Sequence, residues 1–111
     1  MIPVILESPF GGPNVLLNTR YGRACMKDCL LNHGESPFAS HLLYTQVGVL
    51  DDSIYEERLL GMTAGFVWRH LAERTVVYTD LGISPGMEKG IYNANLIGHK
   101  VIYRKLPNWE G

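Results

Sequence analysis

The clearest chemical candidate in the sequence is Glu88, which lies in the run Gly86-Met87-Glu88-Lys89-Gly90. Ser84 and Pro85 fit the N-cap and first-turn positions of a helix, so Glu88 is expected in the first turns of that helix. The partial positive charge at a helix N-terminus favours an ionised carboxylate. Such a carboxylate can act as a covalent nucleophile toward a sugar carbon or stabilise an oxocarbenium-like centre. The alternative is a glutamate that only complements the helix dipole.

A glycine-containing loop near the N-terminus is a candidate anion site. Ser8, Gly11 and Gly12 follow a short apolar run. The glycine amides and the Ser8 hydroxyl could receive a phosphate group just before a helix. The alternative is a loop whose glycines only turn the chain.

A second loop carries aromatic and acidic side chains. His41 and Tyr44 could stack on a base or hydrogen-bond to it, and the alternative is ordinary packing. Asp51 and Asp52 could contact sugar hydroxyls or supply a general acid, and the alternative is that they only place negative charge at a helix start.

The elements that must position these residues alternate between strand and helix. Short β-branched and apolar runs predict strands, while apolar residues spaced by three or four predict helices. Ser53 and Glu56 match a capping box that would start the second helix. The alternation predicts an α/β fold, a small flavodoxin-like (Rossmann-like) parallel sheet of four to five strands with helices on both faces. The predicted strands are 2–6, 36–39, 75–79 and 101–103, and the predicted helices are 15–32, 53–71 and 84–97.

Ligands bind such sheets outside the carboxyl ends of the strands. This rule gathers segments 7–12, 41–52 and 80–88 around one crevice.

Composition restricts the class of protein. A length of 111 residues suits a single domain, 1–111, and 46% hydrophobic with 19% charged residues is typical of a globular chain. A formal charge of −1 disfavours a nucleic-acid polymer as partner. No apolar run approaches the roughly 20 residues of a membrane helix, and no signal peptide is evident, so we expect a cytoplasmic protein with no membrane partner. Cys25 and Cys29 are expected to be reduced helix residues, and we expect neither a metal nor a cofactor.

Several of these segments resemble one enzyme superfamily. The Gly86–Gly90 run, after a strand and a Ser/Gly-containing loop, resembles the catalytic stretch of the nucleoside 2-deoxyribosyltransferases and 2′-deoxynucleoside 5′-monophosphate N-glycosidases. Segment 4–10 is similar to the first strand and loop of small bacterial and phage members. Segments 36–44 and 56–58 resemble a phage-associated, functionally unassigned branch. The resemblance extends over nearly the whole chain.

The resemblance implies a transferase or hydrolase acting on a nucleoside or nucleotide. Glu88 would take the anomeric carbon, the base would leave, and water or a second base would complete the reaction. The family's sugar-contacting serine or aspartate, six residues before the glutamate, is Gly82 here, and Asp80 or Ser84 could substitute. Phe10 stands where many members have tyrosine, and Glu57 is the candidate for an acidic residue at the start of the second helix. The predicted catalytic residues are Glu88 and Asp80, and the predicted substrate-binding residues are Ser8, Phe10, Gly11, Gly12, His41, Tyr44, Asp52, Ser84 and Gly86.

Two other functions stay open. The absent side chain at Gly82 favours a protein that binds or sequesters a nucleotide without turnover, such as a phage factor acting on a nucleotide signal in the host cytoplasm. A purely structural or interaction module is the third.

A homo-oligomer is also expected. The second helix is apolar around much of its circumference, and Gly61 and Gly65 share a face that would let a second copy approach. The alternative is a helix covered by the sheet and by a C-terminal tail containing Trp109. The resemblance favours dimers or larger assemblies that share residues between active sites.

Overall fold

Four parallel strands form the centre of the computed structural model, which describes residues 1–110. The strand order is β2-β1-β3-β4, so β1 and β3 are central, and the α/β prediction is confirmed. The strands are β1 (Ile2–Glu7), β2 (Glu35–Phe38), β3 (Arg74–Tyr78) and β4 (Lys100–Arg104). The helices are α1 (Val15–Asn32), α2 (Ser40–Leu43), α3 (Tyr55–Arg69) and α4 (Pro85–Leu96).

The two central strands are buried on both faces, as their apolar runs predict. Alternation along each strand sends successive side chains to opposite faces. On one face, Leu6 and Tyr78 belong to the same core cluster as Tyr21, Cys25 and Cys29 of α1. The cysteines are free thiols.

The opposite face of the sheet is covered by α3 and α4. Met87, Gly90 and Ala94 are the buried residues of α4, and they recur at the three- and four-residue spacing of a helix face. Gly90 on this buried face lies against the Glu7 carboxylate at the end of β1. The first turns of α4 therefore lie where the crevice was expected.

Two local predictions, one for residues 40–43 and one for the start of α3, are wrong. Residues 40–43 form the short helix α2 inside a segment predicted to be a loop. The N-cap of α3 is Ile54, not Ser53. The Ser53 hydroxyl donates instead to Asp51 Oδ1 at 2.6 Å, because the aspartate offers a local acceptor that competes with the helix amides.

The glycines of α3 face the chain itself. A Cβ built on Gly65 would lie 2.5 Å from Ser40 Oγ, and one on Gly61 would lie 3.3 Å from Leu50. The close approach predicted for a second copy is therefore made by α2 and the loop after it. Trp109 packs edge-on against Tyr21 of α1, with ring centroids 5.0 Å apart, and does not fill a gap at α3. Assembly into an oligomer stays a prediction.

Within residues 1–110, no helix combines the length and the apolar character needed to cross a bilayer.

Candidate functional site

A cavity of about 340 Å³ opens at the carboxyl end of β1. Its walls come from the loop after β1, from α2 and the loop that follows it, from α3, and from the first turns of α4. The structure brings together all of the predicted substrate-binding residues in this wall, namely Ser8, Phe10, Gly11, Gly12, His41, Tyr44, Asp52, Ser84 and Gly86. Their part in binding stays a prediction.

Ser8 and His41 form a hydrogen-bonded pair in the wall. Ser8 Oγ lies 2.7 Å from His41 Nε2, and Ser8 is only 4% exposed. Burial lowers the pKa of His41 to about 4, so its ring is neutral at neutral pH. The Phe10 ring meets the His41 ring edge-on at 6.4 Å. The pair offers a ligand hydrogen bonds without adding charge to the site.

Tyr44 is held from two sides. Its hydroxyl accepts a hydrogen bond from Trp68 Nε1 at 3.0 Å, and its ring packs against Phe38 at 6.2 Å. Because the Tyr44 hydroxyl accepts this bond, its own proton remains available to donate.

A buried ion pair between Glu7 and Arg69 forms another part of the wall. Arg69 Nη2 donates to Glu7 Oε2 at 2.7 Å, and the side chains are 2% (Arg69) and 13% (Glu7) exposed. Arg69 Nη1 also donates to the Gly90 carbonyl at 2.9 Å and to Thr75 Oγ1 at 3.0 Å. A Cβ on Gly90 would run into the Glu7 carboxylate, so only glycine leaves room for this arrangement.

The two oxygens of Glu7 have different surroundings. Oε2 accepts from Arg69, whereas Oε1 accepts no hydrogen bond from any residue in the described range 1–110. Burial raises the pKa of Glu7, and the Arg69 guanidinium opposes that rise by stabilising the ionised form. Glu7 therefore presents to the cavity one carboxylate oxygen with no partner in the described chain.

Three further charged side chains line the cavity: Asp52, Glu57 and Arg58. A Cβ built on Gly11 would lie 2.7 Å from Asp52 Oδ2, so this carboxylate approaches the backbone of the first loop closely. Glu57 Oε1 accepts from the Asp51 amide at 3.0 Å, which ties α3 to the loop before it.

The structure does not bring the two predicted catalytic residues into this cavity. Ser84 is the N-cap of α4, as predicted, and its hydroxyl accepts from the Met87 amide at 3.3 Å. Glu88, however, is exposed and does not line the cavity. Each residue of an α-helix advances by about 100°, so Glu88, two residues from both Gly86 and Gly90, lies on nearly the opposite side of α4. Gly86 and Gly90 line the cavity, and Glu88 therefore points away from it.

Asp80 lies on the other side of the sheet and does not line the cavity. Its Oδ2 accepts from the Tyr21 hydroxyl at 2.5 Å and from the Leu106 amide at 3.0 Å. These bonds fasten the C-terminal tail to α1 and the end of β3, which is a structural task.

The sequence prediction gave no role to Glu7 or Arg69. Glu7 carried a signal, since a charged residue that ends an apolar central strand must lie at the carboxyl edge of the sheet. Arg69 carried none, because an arginine at the end of an apolar helix is typical of dipole complementation.

Within the described range, no three histidine, cysteine or acidic side chains cluster closely enough to hold a metal ion.

Comparisons with known proteins give a family and a fold. The family described as "Domain of unknown function (DUF7768)" matches residues 2–104, and the chain belongs to it. No curated protein matches the chain. A solved structure, the 2-deoxyribosyltransferase from the psychrotolerant bacterium Bacillus psychrosaccharolyticus, is similar with a TM-score of 0.60 and 15% sequence identity. The alignment covers 98% of this chain and 77% of that one. At this identity the similarity shows a shared fold.

Proposed function

We propose that this member of the DUF7768 family binds a nucleoside or nucleotide in the cavity and cleaves or exchanges its N-glycosidic bond with a glutamate as nucleophile. The observation that carries the proposal is the Glu7 carboxylate, which faces the cavity with one oxygen unpartnered by the described chain. The shared fold with a 2-deoxyribosyltransferase supports the substrate class.

The size and lining of the cavity suit such a ligand. Its volume of about 340 Å³ lies near the lower end of small-molecule sites. Aromatic rings of Phe10 and Tyr44 are available for a base, and the Ser8 hydroxyl and Asp52 carboxylate for sugar hydroxyls. A compact ligand with one flat apolar part and one polar part matches this wall.

The chemistry follows from the free oxygen of Glu7. Oε1 forms a bond to the anomeric carbon while the C–N bond breaks, and the base leaves with the electron pair of that bond. Water or a second base then attacks the same carbon, the bond between Glu7 and the sugar breaks to restore the carboxylate, and the proton that the attacking group loses ends on the departed base. Arg69 orients the carboxylate through Oε2 and opposes the burial that raises the pKa of Glu7.

Glu88 stays as the rival nucleophile, supported by its motif. The exposed position of its side chain requires that α4 present it to a ligand outside the cavity. Glu7 lines the cavity and Glu88 does not, and single substitutions separate their roles.

Binding without turnover is the second candidate function. It is favoured by the position of Glu88 outside the cavity and by Gly82, whose φ of +84° fits a turn and which has no side chain to contact a sugar. A nucleotide would then be sequestered in the same cavity.

Chromatographic detection of free base tests the proposal. The protein is incubated with the common 2′-deoxynucleosides, ribonucleosides and their 5′-monophosphates, with and without a second free base. We expect base release from at least one, a loss of at least about a thousandfold in Glu7→Gln, and a change within about twofold in the matched Glu88→Gln. Thermal melting of each variant confirms folding.

Three results would count against the proposal as stated. Loss of activity in Glu88→Gln with full activity in Glu7→Gln would transfer the nucleophile to Glu88. Calorimetric binding of a ligand without base release from it would favour sequestration. Absence of both binding and release would exclude the substrate class.

A further inference from the structure

A histidine outside the cavity is joined to the Arg69–Glu7 ion pair by hydrogen bonds. His99, just before β4, is half-buried and does not line the cavity. Its Nδ1 lies 2.9 Å from Thr75 Oγ1, and Thr75 Oγ1 accepts from Arg69 Nη1 at 3.0 Å. Arg69 Nη2 in turn donates to Glu7 Oε2 at 2.7 Å. These side chains form one continuous hydrogen-bonded chain from the start of β4 to the cavity.

The direction of each hydrogen bond in this chain follows from what its atoms can donate. His99 Nε2 lies 2.8 Å from the Ala72 carbonyl oxygen, which can only accept, so Nε2 carries a proton. In the neutral ring Nδ1 is then an acceptor, and the Thr75 hydroxyl donates to it. The Thr75 oxygen therefore turns its lone pairs, and not its proton, toward Arg69 Nη1.

Burial makes the position of the Arg69 guanidinium depend on these contacts. Thr75 is 0% exposed and Arg69 is 2% exposed, so water cannot replace a lost partner. Arg69 Nη1 makes two hydrogen bonds, to Thr75 Oγ1 and to the Gly90 carbonyl at 2.9 Å. Arg69 Nε is buried without a partner in residues 1–110, so Nη1 and Nη2 alone hold the plane of the group.

We propose that Thr75 and His99 are positioning residues of the site. They fix the plane of the Arg69 guanidinium, and the guanidinium fixes the Glu7 carboxylate, which presents its other oxygen to the cavity. The proposal rests on the proposed function, because it concerns the approach of this carboxylate to a sugar carbon. Neither Thr75 nor His99 lines the cavity, so both act through Arg69.

Two pairs of variants test the proposal. Thr75→Val removes the hydroxyl, and Thr75→Ser keeps it. His99→Leu removes the acceptor at Nδ1, and His99→Asn offers an amide oxygen near the same position, to which the Thr75 hydroxyl can donate. Tyr78→Phe is the control for lost stability, because it removes a buried, hydrogen-bonded hydroxyl on the face of the sheet that packs against α1.

Heteronuclear NMR of the arginine side chains measures how firmly the guanidinium is held, with no ligand present. Hydrogen bonds slow rotation about the Cζ–Nη bonds, so Arg69 should give separate Nη1 and Nη2 signals in the wild type, assigned by their loss in Arg69→Lys. We expect rotation at least about fivefold faster in Thr75→Val and His99→Leu, as for the loss of one hydrogen bond. Thr75→Ser, His99→Asn and Tyr78→Phe should stay within about twofold of the wild type.

Steady-state kinetics of base release measures the consequence for the reaction. A misplaced nucleophile impairs bond formation more than ligand binding. We therefore expect kcat to fall by about tenfold or more in Thr75→Val and His99→Leu, with KM within about twofold of the wild type. The two variants that keep the hydrogen bond, and folded Tyr78→Phe, should retain kcat within about threefold.

Three results would overturn the proposal. Unchanged rotation in folded Thr75→Val and His99→Leu would show that the chain does not hold Arg69. Faster rotation with unchanged kcat would show that holding Arg69 does not position Glu7. An equal fall of kcat in Thr75→Val and Thr75→Ser would assign the effect to packing and not to the hydroxyl.

The two measurements also separate this proposal from the proposed function. If Thr75→Val does not fold, His99→Leu decides, because it removes the partner of the same hydroxyl. If the wild type releases no base, the proposed function fails, and the rotation rates alone confirm or refute that Thr75 and His99 fix Arg69.

Discussion

Two buried glutamates lie on opposite faces of the sheet, and their surroundings differ in one decisive respect. Glu35, at the start of β2, is completely buried beneath α1, and both of its oxygens are occupied. Oε2 accepts from Arg74 Nε at 3.1 Å, Arg74 Nη2 at 2.9 Å and Arg104 Nη2 at 3.1 Å, and Oε1 accepts from Arg104 Nη1 at 2.7 Å. Glu7 has one guanidinium partner and one free oxygen facing a cavity.

The difference shows in the protonation chemistry of the two groups. Burial raises the pKa of both carboxyls. At Glu35 the hydrogen bonds from Arg104 and Arg74 outweigh burial and bring the pKa to about 2. At Glu7 burial dominates the single partner, and the pKa is raised. The Glu35 carboxylate, with both oxygens hydrogen-bonded, joins β2 to Arg74 of β3 and Arg104 of β4. The Glu7 carboxylate has one oxygen without a partner in the described chain, so that oxygen can still interact with a ligand.

The largest expected effect is on the free energy of unfolding when Glu35, whose two oxygens both accept hydrogen bonds, is replaced. Glu35→Gln leaves two guanidiniums facing an uncharged amide, and we expect it to lower the free energy of unfolding by about 3–5 kcal/mol. Denaturant titration measures the change. The folded fraction should retain full base-release activity, because Glu35 does not line the cavity. A loss below about 1 kcal/mol would contradict the structural role assigned to this network.

The contributions of Glu35 and Glu7 to the free energy of unfolding depend on pH in opposite directions. The folded-state pKa of Glu35 is depressed from 4.5 to about 2, so its contribution to stability is present above pH 4.5 and is lost as the pH falls toward 2. The shift corresponds to roughly 3 kcal/mol. The raised pKa of Glu7 acts oppositely, since its contribution is lost as pH rises through the folded value. Chemical unfolding at a series of pH values should show a shallower acid loss in Glu35→Gln. An unchanged acid slope would refute the assignment.

A smaller change moves the Glu7 carboxylate, the proposed nucleophile, without altering any charge. In Gly90→Ala the new methyl group displaces the Glu7 side chain, and we expect a loss of roughly ten- to a hundredfold in kcat/KM. Lys89→Ala, one residue earlier and exposed, is the matched control and should change kcat/KM by less than about twofold. Unaltered catalysis by a well-folded Gly90→Ala variant would argue against Glu7.

Much of the fold could be predicted from local patterns. Apolar periodicity predicted the alternation of strands and helices and the boundaries of α1. Ser84, a typical N-cap residue, predicted the start of α4. The short helix α2 escaped detection because its four residues are too few to show a period.

The site was predictable in part. The predicted substrate-binding residues line one cavity because the carboxyl ends of parallel strands converge at one edge, and their part in binding stays a prediction. Glu7, the proposed nucleophile, was not predicted, because sequence spacing places Glu88 near that edge without showing which way the helix turns it. The pairing of Glu7 with Arg69 joins residues 62 positions apart, and no local pattern contains it.

Mapping of a trapped glycosyl-enzyme tests the central claim most directly. A 2′-fluoro arabinosyl nucleoside slows hydrolysis of the covalent intermediate, and trypsin then separates the candidates, with Glu7 in fragment 1–20, Asp52 and Glu57 in fragment 28–58, and Glu88 in fragment 75–89. The account predicts that mass spectrometry finds the sugar on fragment 1–20, at Glu7. A sugar on fragment 75–89 or 28–58, or base release with no adduct on any fragment, would contradict it.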